Sequence, residues 1–244
     1  MNARLPSTHP EAYVLDDQQA IGHIAVQLPG ATAIFRRHKL DFCCGGQVSL
    51  VQAASEKGLD VAALMRELAA IQRTDEPVEH ESPDTLIDHI LERYHAVHRE
   101  QLPELIRMAR RVEAVHRDHP LVPIGLAYLL EDAEQDLLSH MMKEENILFP
   151  MLKAGGNPYV SQPIGVMRSE HTRHGAMLEQ LMHLCNNARP PEGACNTWRA
   201  LYAGIEQLHD DLINHIHLEN NILYSYFEAP ALAPAKSACC GSCG

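Results

Sequence analysis

Apolar positions recur every three to four residues through four long stretches of the chain, a spacing that predicts amphipathic helices. The first stretch runs from Pro83 to about Arg117, with Ser82 as its N-cap and Pro83 at the first helical position. The second runs from Pro123 to Leu152, the third from about Gln162 to Ala188, and the fourth from about Cys195 to Phe227. Breaks fall at His119-Pro120, at Gly155-Gly156-Asn157-Pro158 and at Pro190-Pro191-Glu192-Gly193. Alternating β-branched runs, the mark of strands, are nearly absent. The expected fold is therefore all-α: an up-down-up-down four-helix bundle over residues 77–228. Shorter amphipathic segments at 16–28, 31–40, 47–57 and 60–73 precede it and predict a small helical domain over residues 1–76. Thr74-Asp75-Glu76-Pro77 reads as a linker, and residues 229–244 as a flexible Cys-containing tail.

The bundle helices repeat. In the second, His140-Met141-Met142-Lys143-Glu144 leads into Ile147-Leu148-Phe149; in the fourth, His215-Ile216-His217-Leu218-Glu219 leads into Ile222-Leu223-Tyr224. The offset is 75 residues (144 to 219). His95, His98, Leu102 and Leu105 of the first helix align with His171, His174, Leu178 and Leu181 of the third at an offset of 76 (95 to 171). Each helical hairpin thus carries a His on one arm and His-x-x-x-Glu on the other.

Spacing tests whether these side chains meet. Residues i and i+4 share a helix face. In an antiparallel hairpin, positions equidistant from the turn lie at one height. His95 and His140 are centred on residue 117.5, beside His119-Pro120, and His171 and His215 are centred on Gly193. Four imidazoles and two carboxylates (Glu144 and Glu219) are therefore expected to converge in the bundle core. A lone His-x-x-x-Glu is usually a solvated pair worth a few tenths of a kcal/mol. Two in a repeat, each with a height-matched histidine, point instead to a pair of metal ions. The mixed nitrogen and oxygen donors favour iron or manganese over a closed zinc site. The order His-x-x-x-Glu differs from the Glu-x-x-His of ferritin-like bundles and resembles hemerythrin.

The other candidates get plainer readings. His98 and His174 are expected beside the ligands or at the surface. His116 lies 21 residues after His95, about 31 Å along a helix, and belongs near a loop. His119, His209 and His217 are grouped with it as surface or supporting residues. Glu92, Glu145 and Glu170 flank the ligands, either as acceptors for imidazole N–H groups or as solvated charges. Met141, Met142, Met167, Met177, Met182 and Tyr94 are assigned to core packing.

Composition sharpens the compartment and the partners. The 244 residues include 16 histidines, and the formal net charge of -12 argues against nucleic acid or an anionic membrane as partner. No apolar run approaches the roughly 20 residues that span a bilayer. The N-terminal stretch lacks the apolar core of a signal peptide, so a cytoplasmic protein is expected. Seven cysteines, with Cys43-Cys44 adjacent and Cys239, Cys240 and Cys243 crowded together, do not form a disulfide framework. Such clusters read as metal or redox thiols, although adjacent cysteines in a Gly-rich turn also fit an incidental, oxidation-prone pair.

Together these residues resemble a known family, the Repair of Iron Centers di-iron proteins, which are hemerythrin-like and induced by nitrosative and oxidative stress. The resemblance covers about residues 15–227. It rests on Phe35-Arg36, on Asp41-Phe42-Cys43-Cys44-Gly45-Gly46, and on Tyr94-His95 with His98-Arg99-Glu100-Gln101-Leu102-Pro103. It rests also on Ser139 to Glu145, Glu170-His171, and His215 with Leu218-Glu219-Asn220-Asn221. It implies two iron ions held by His95, His140, His171 and His215, bridged by Glu144 and Glu219 and by an oxo or hydroxo group. It also implies a chemical role for Cys43 and Cys44. The expected function is repair of iron–sulfur clusters damaged by nitric oxide or oxidative stress, by supplying iron to apo-proteins. A second reading is a protein that binds or reduces nitric oxide. A third is a dioxygen carrier or sensor, for which the thiols are superfluous.

Overall fold

The computed structural model describes residues 14–28, 30–71 and 82–228. The linker expected at 74–77 and the tail with Cys239, Cys240 and Cys243 lie outside the described residues. Ser82 opens the first bundle rod as anticipated. Its Oγ accepts from the Thr85 N–H, and Thr85 Oγ1 accepts from the Ser82 N–H, both at 3.2 Å. Such a reciprocal cap contributes about 1 kcal/mol. The rod continues as Pro83–Ile90, a π-helical turn Leu91–His95, and Ala96–Val115. The second comprises Leu126–Lys143, a π turn Glu144–Leu148, and Phe149–Lys153. The third is Ser161–Leu184. The fourth is Asn196–His217, a π turn Leu218–Leu223, and the 3-10 turn Tyr224–Tyr226.

Each rod packs on the one before it, and the fourth closes on the first, giving the up-down-up-down bundle. The second rod starts at Leu126, not Pro123, because Gly125 at φ 89° takes the N-cap in a left-handed conformation. The third stops at Leu184, four residues early, because Asn186, Asn187 and Ala188 all adopt positive φ. Trp198, Leu201, Ile205 and Leu208 fill the core near the second hairpin turn with Leu105, Ala109 and Leu130. Ile87, Phe149, Leu152, Ile164 and Leu223 fill the opposite end. The polar centre lies between the two apolar clusters.

Ahead of the bundle come α1 (Ile21–Gln27), α2 (Ala31–Arg37), α3 (Leu50–Glu56) and α4 (Val61–Ala69), each shorter than the segment expected. Caps explain two of the starts. Ser49 Oγ accepts from the Gln52 N–H at 3.3 Å, and Asp60 Oδ1 from the Ala62 N–H at 2.9 Å. These helices enclose their own apolar cluster, built on Ile24, Phe35, Phe42, Leu50 and Leu68. The cluster docks against the fourth rod, where Ile213 touches both cores and Phe42 meets the His217 ring edge-on at 5.2 Å. Two glycines permit the approach. A Cβ on Gly22 would lie 2.7 Å from Asn221 Oδ1, and one on Gly46 would lie 2.4 Å from the Phe42 carbonyl oxygen.

Candidate metal centre

The six expected side chains meet at the middle of the bundle, none more than 1% exposed. His95 Nε2 lies 3.2 Å from His215 Nε2, and His140 Nε2 lies 3.1 Å from His171 Nε2. The imidazoles therefore pair across hairpins, first rod with fourth and second with third. Glu144 Oε2 sits 3.4 Å from His95 Nε2 and 3.3 Å from His140 Nε2. Glu219 sits 3.1 Å from both His171 Nε2 and His215 Nε2. Two donor groups result, His95 with His215 and His140 with His171, each completed by the same two carboxylates, and the donor atoms of each lie within 4.8 Å of one another. Three π turns place these residues: His95 closes one, Glu144 opens another, and Glu219 lies in the third. A π turn inserts a residue into the helical ladder and is favoured at such sites.

The donors fit cations. Among the described residues, Glu144 Oε2 and Glu219 Oε2 are buried without a hydrogen-bond partner, a state that costs about 1–3 kcal/mol for a lone polar atom. Metal–nitrogen bonds of about 2.1 Å at right angles would separate two ligands by about 3.0 Å. The two imidazole pairs, at 3.1 and 3.2 Å, match that edge.

The outward ring nitrogens are held unequally. His95 Nδ1 faces Glu145 Oε1 at 2.7 Å, with Arg99 on the same oxygen. His140 Nδ1 faces Glu170 Oε2 at 2.9 Å, and Lys143 neutralises that carboxylate. His171 Nδ1 faces Asn220 Oδ1 at 2.9 Å. His215 Nδ1 has no hydrogen-bond partner among the described residues, and its ring lies flat on Tyr94 at 5.3 Å. Tyr224 stacks on His171 at 6.2 Å and donates its hydroxyl to Glu144 Oε1 at 3.0 Å.

The charges follow from this packing. Burial pulls His171 down, but Glu219 outweighs it and raises the imidazole to about 9. In His95, burial opposes and Glu144 prevails, so it too is raised, whereas burial wins for His215, which is lowered. Burial would raise Glu219, but His215 and His171 hold its carboxyl well below the usual range. Burial and the neighbouring carboxylates push the Tyr224 hydroxyl well above 10.

The remaining histidines divide. His98 and His174 are buried one turn beyond His95 and His171, so a surface position is excluded for both. Burial lowers each to about 2, and each is neutral at pH 7. His217 is likewise buried, 5% exposed, where Asn221 Nδ2 donates to it at 3.0 Å. His116 and His119 flank Trp198 at 5.0 and 5.2 Å, near the loop as expected. His209 is half-buried against Asp210. Glu92 is exposed. Met142 is 56% exposed rather than core, because its helix turns that face to solvent beside the buried Met141. Tyr224 and Asn220 figured in the sequence only within the repeat and the family motif, with no role at the centre. The repeat held the signal, since they occupy the places of Phe149 and Glu145 in the other hairpin.

A dithiol loop adjoins the centre. Cys43 is buried and Cys44 half-buried, both as free thiols with their sulfurs 3.7 Å apart. Asp41 Oδ1 accepts from the Cys44 N–H at 2.9 Å and from Cys43 Sγ at 3.3 Å. Asp41, Cys43 and Cys44 form a third group whose donor atoms lie within 4.8 Å. The hydrogen bond from Cys43 lowers Cys44, with help from His171 and Arg168, while that bond and burial push Cys43 up. Cys44 is the thiol that ionises first.

A four-helix bundle whose core presents paired His and Glu donors is a hemerythrin-type cation-binding bundle. Residues 86–227 match the family model of the hemerythrin HHE cation binding domain, and residues 17–72 match that of a domain of unknown function, DUF542. The chain is 50% identical over 210 residues to the iron-sulfur cluster repair protein YtfE of Cronobacter sakazakii, covering 84% of this chain and 94% of the relative. Its identity to the proteins of the same name from Citrobacter koseri and Escherichia coli O157:H7 is 50% and 49%, with the same coverage. The chain belongs to this hemerythrin-like family of proteins named for iron–sulfur cluster repair. No helix among the described residues is long and apolar enough to cross a membrane.

Proposed function

We propose that this chain holds two iron ions and supplies iron for the repair of iron–sulfur clusters damaged by nitric oxide or oxidative stress. The observation that carries this reading is a pair of buried donor groups sharing Glu144 and Glu219, hydrogen-bonded through Asn220 to a dithiol loop. His95 and His215 would hold one ion, His140 and His171 the other, and the two carboxylates would bridge them. The mixed donor set suits iron, and the names of the relatives support that metal. Bound iron supplies open coordination positions and ligands that exchange.

The chain's own part is to hold and then release. Glu145, Glu170 and Asn220 keep the Nε2 atoms of His95, His140 and His171 pointed inward. Cys44, as the more acidic thiol, offers a soft ligand to departing iron, and Asp41 stands beside it. In this reading residues 1–76 form the thiol-bearing domain, residues 77–228 the iron-bearing one, and residues 229–244 a tail. Its partners are iron–sulfur apo-proteins, with nitric oxide or dioxygen as small ligand. The activity belongs in this reading to the cytoplasm, where thiols stay reduced, a location that free Cys43 and Cys44 support.

The test mixes anaerobic ferrous protein with an apo iron–sulfur protein, sulfide and reductant, and follows cluster absorbance. Cluster recovery is expected, and it should fall sharply in Cys43→Ala/Cys44→Ala. Bound metal is counted in parallel. His215→Ala should keep about one ion, whereas Glu219→Ala, which serves both positions, should weaken both. Undiminished recovery in the double thiol variant, or two ions retained in Glu219→Ala, would refute the reading.

A further inference from the structure

We propose that Asn220 is a two-ended positioning residue. Its amide fixes the tautomer of His171 and holds the dithiol loop by the Cys43 carbonyl, making loop seating and ligand readiness one event. The inference rests on the reading of His171 as a metal ligand.

The argument starts from an atom with no choice. The Cys43 carbonyl oxygen only accepts, and it lies 3.0 Å from the Asn220 amide nitrogen Nδ2. The loop thereby dictates which way the amide faces. Oδ1 is then turned toward His171 Nδ1, at 2.9 Å, and Oδ1 also only accepts. In the neutral ring that can bind a cation, the His171 proton must therefore sit on Nδ1, which leaves Nε2 bare. That bare nitrogen faces His140 Nε2 and Glu219 Oε2, both at 3.1 Å. Asn220 is 3% exposed, so water does not readily take over either bond.

The internal repeat provides the contrast. Asn220 occupies the place of Glu145, 75 residues earlier. Glu145 orients His95 with a carboxylate that has no proton to offer elsewhere at neutral pH. An amide, having an acceptor and a donor, stands in the hairpin that meets the thiol loop. The neighbouring position reinforces the distinction. Asn146 donates to Met142 O within its own helix at 2.8 Å, whereas Asn221 reaches across to Phe42 O at 3.2 Å.

The coupling has a direction. A cation on Nε2 makes Nδ1–H a stronger donor, which polarises the amide and strengthens its bond to Cys43. A filled centre seats the loop; one emptied to a neutral His171 loosens it.

The test uses the full chain, metal-free and loaded anaerobically with ferrous iron, and measures iodoacetamide alkylation of Cys43 and Cys44 by peptide mass spectrometry. Loading should slow alkylation in the unsubstituted protein. Asn220→Asp keeps an acceptor for His171 but loses the shorter of the two bonds to the Cys43 carbonyl, leaving the 3.4 Å one from Asn221 Nδ2. Its metal-free form should be alkylated about tenfold faster, its rate should no longer respond to iron, and two ions should remain. Asn220→Leu should also speed alkylation, and should weaken one ion about 10- to 100-fold. Glu145→Gln serves as the comparison and should leave the thiol rate unchanged. Unchanged thiol rates in metal-free Asn220→Asp, or equal acceleration in Glu145→Gln, would overturn the proposal. A chain that binds no iron at all would refute the proposed function, while the metal-free rates would still decide whether Asn220 holds the loop.

Discussion

Glu170→Ala should weaken one metal ion and spare the other. Glu170 is 7% exposed and accepts from His140 Nδ1 at 2.9 Å while offsetting the Lys143 charge. Removing it strands the N–H of an imidazole that is itself 1% exposed, at a cost of about 1–3 kcal/mol in stability. It also frees the ring to rotate. Loss of such an orienting partner costs about 10- to 100-fold in metal affinity, or roughly 1.4–2.7 kcal/mol. His140 belongs to one of the two donor groups, so the loss should fall on the ion shared with His171. Glu170→Gln retains an acceptor and should sit between the variant and the unsubstituted protein. The assay is anaerobic titration of the di-ferrous protein with a chromogenic ferrous chelator, read as ions released against chelator concentration. The unsubstituted chain should release both ions at high chelator, and Glu170→Ala should release one early and one late. A parallel loss of both ions, or an unchanged curve, would refute the division into two positions.

Two further outcomes are expected. Metal-free protein should be most stable near pH 6.5. His98 and His174, lowered to about 2 in the fold, take up protons below 6.5 only when unfolded, so acid favours unfolding. Together they should cost about 2 kcal/mol between pH 6.5 and 5.5. His171, raised to about 9, contributes fully below 6.5 and loses that contribution as pH rises through 9. Guanidinium unfolding across this range checks both limbs, and replacing His98 by Leu should take about 1 kcal/mol off the acid one, to which His217, lowered to about 4, also adds; flat stability from 6.5 to 5.5 would sink the account. Gly46→Ala places a Cβ 2.4 Å from the Phe42 carbonyl and 3.0 Å from the Gly22 Cα. Its unfolding free energy should drop by about 1–3 kcal/mol with both metal ions retained, which denaturation and metal counting would show; an unaltered unfolding midpoint would mean the loop does not need this close approach.

Convergence of the six donor side chains was legible because it depends on two periodicities, 3.6 residues per turn and the repeat of the hairpin. Both survive without knowledge of how the rods lean. The pairing of His95 with His215, and of His140 with His171, depends on which rods are diagonal and which adjacent, and no spacing within one hairpin reports that. Asn220 was hidden for a different reason. Its partner is a backbone carbonyl at Cys43, 177 residues away, and carbonyls leave no trace in composition. For His98, His174 and His217 the sequence left open a place beside the ligands or at the surface, because polar residues are mostly exposed; the fold buries all three, His98 and His174 against other histidines of the centre and His217 against Phe42. The narrower bounds of the short N-terminal helices followed from single residues, the N-caps Ser49 and Asp60 at two starts and Lys39 at positive φ just past the end of α2, which periodicity smooths over.

The π turns bear on how this chain tolerates insertions and deletions. Each holds one residue more than a regular α ladder needs. Deleting one residue from Leu218–Leu223 after Glu219 would let the fourth rod relax into an ordinary helix, with no loop broken and little length lost. Everything downstream would swing by about 100°, carrying Tyr224 away from His171 and Glu144. In loops a one-residue length change is usually silent; here it would rewrite the chemistry of a buried centre while leaving the outline of the bundle intact.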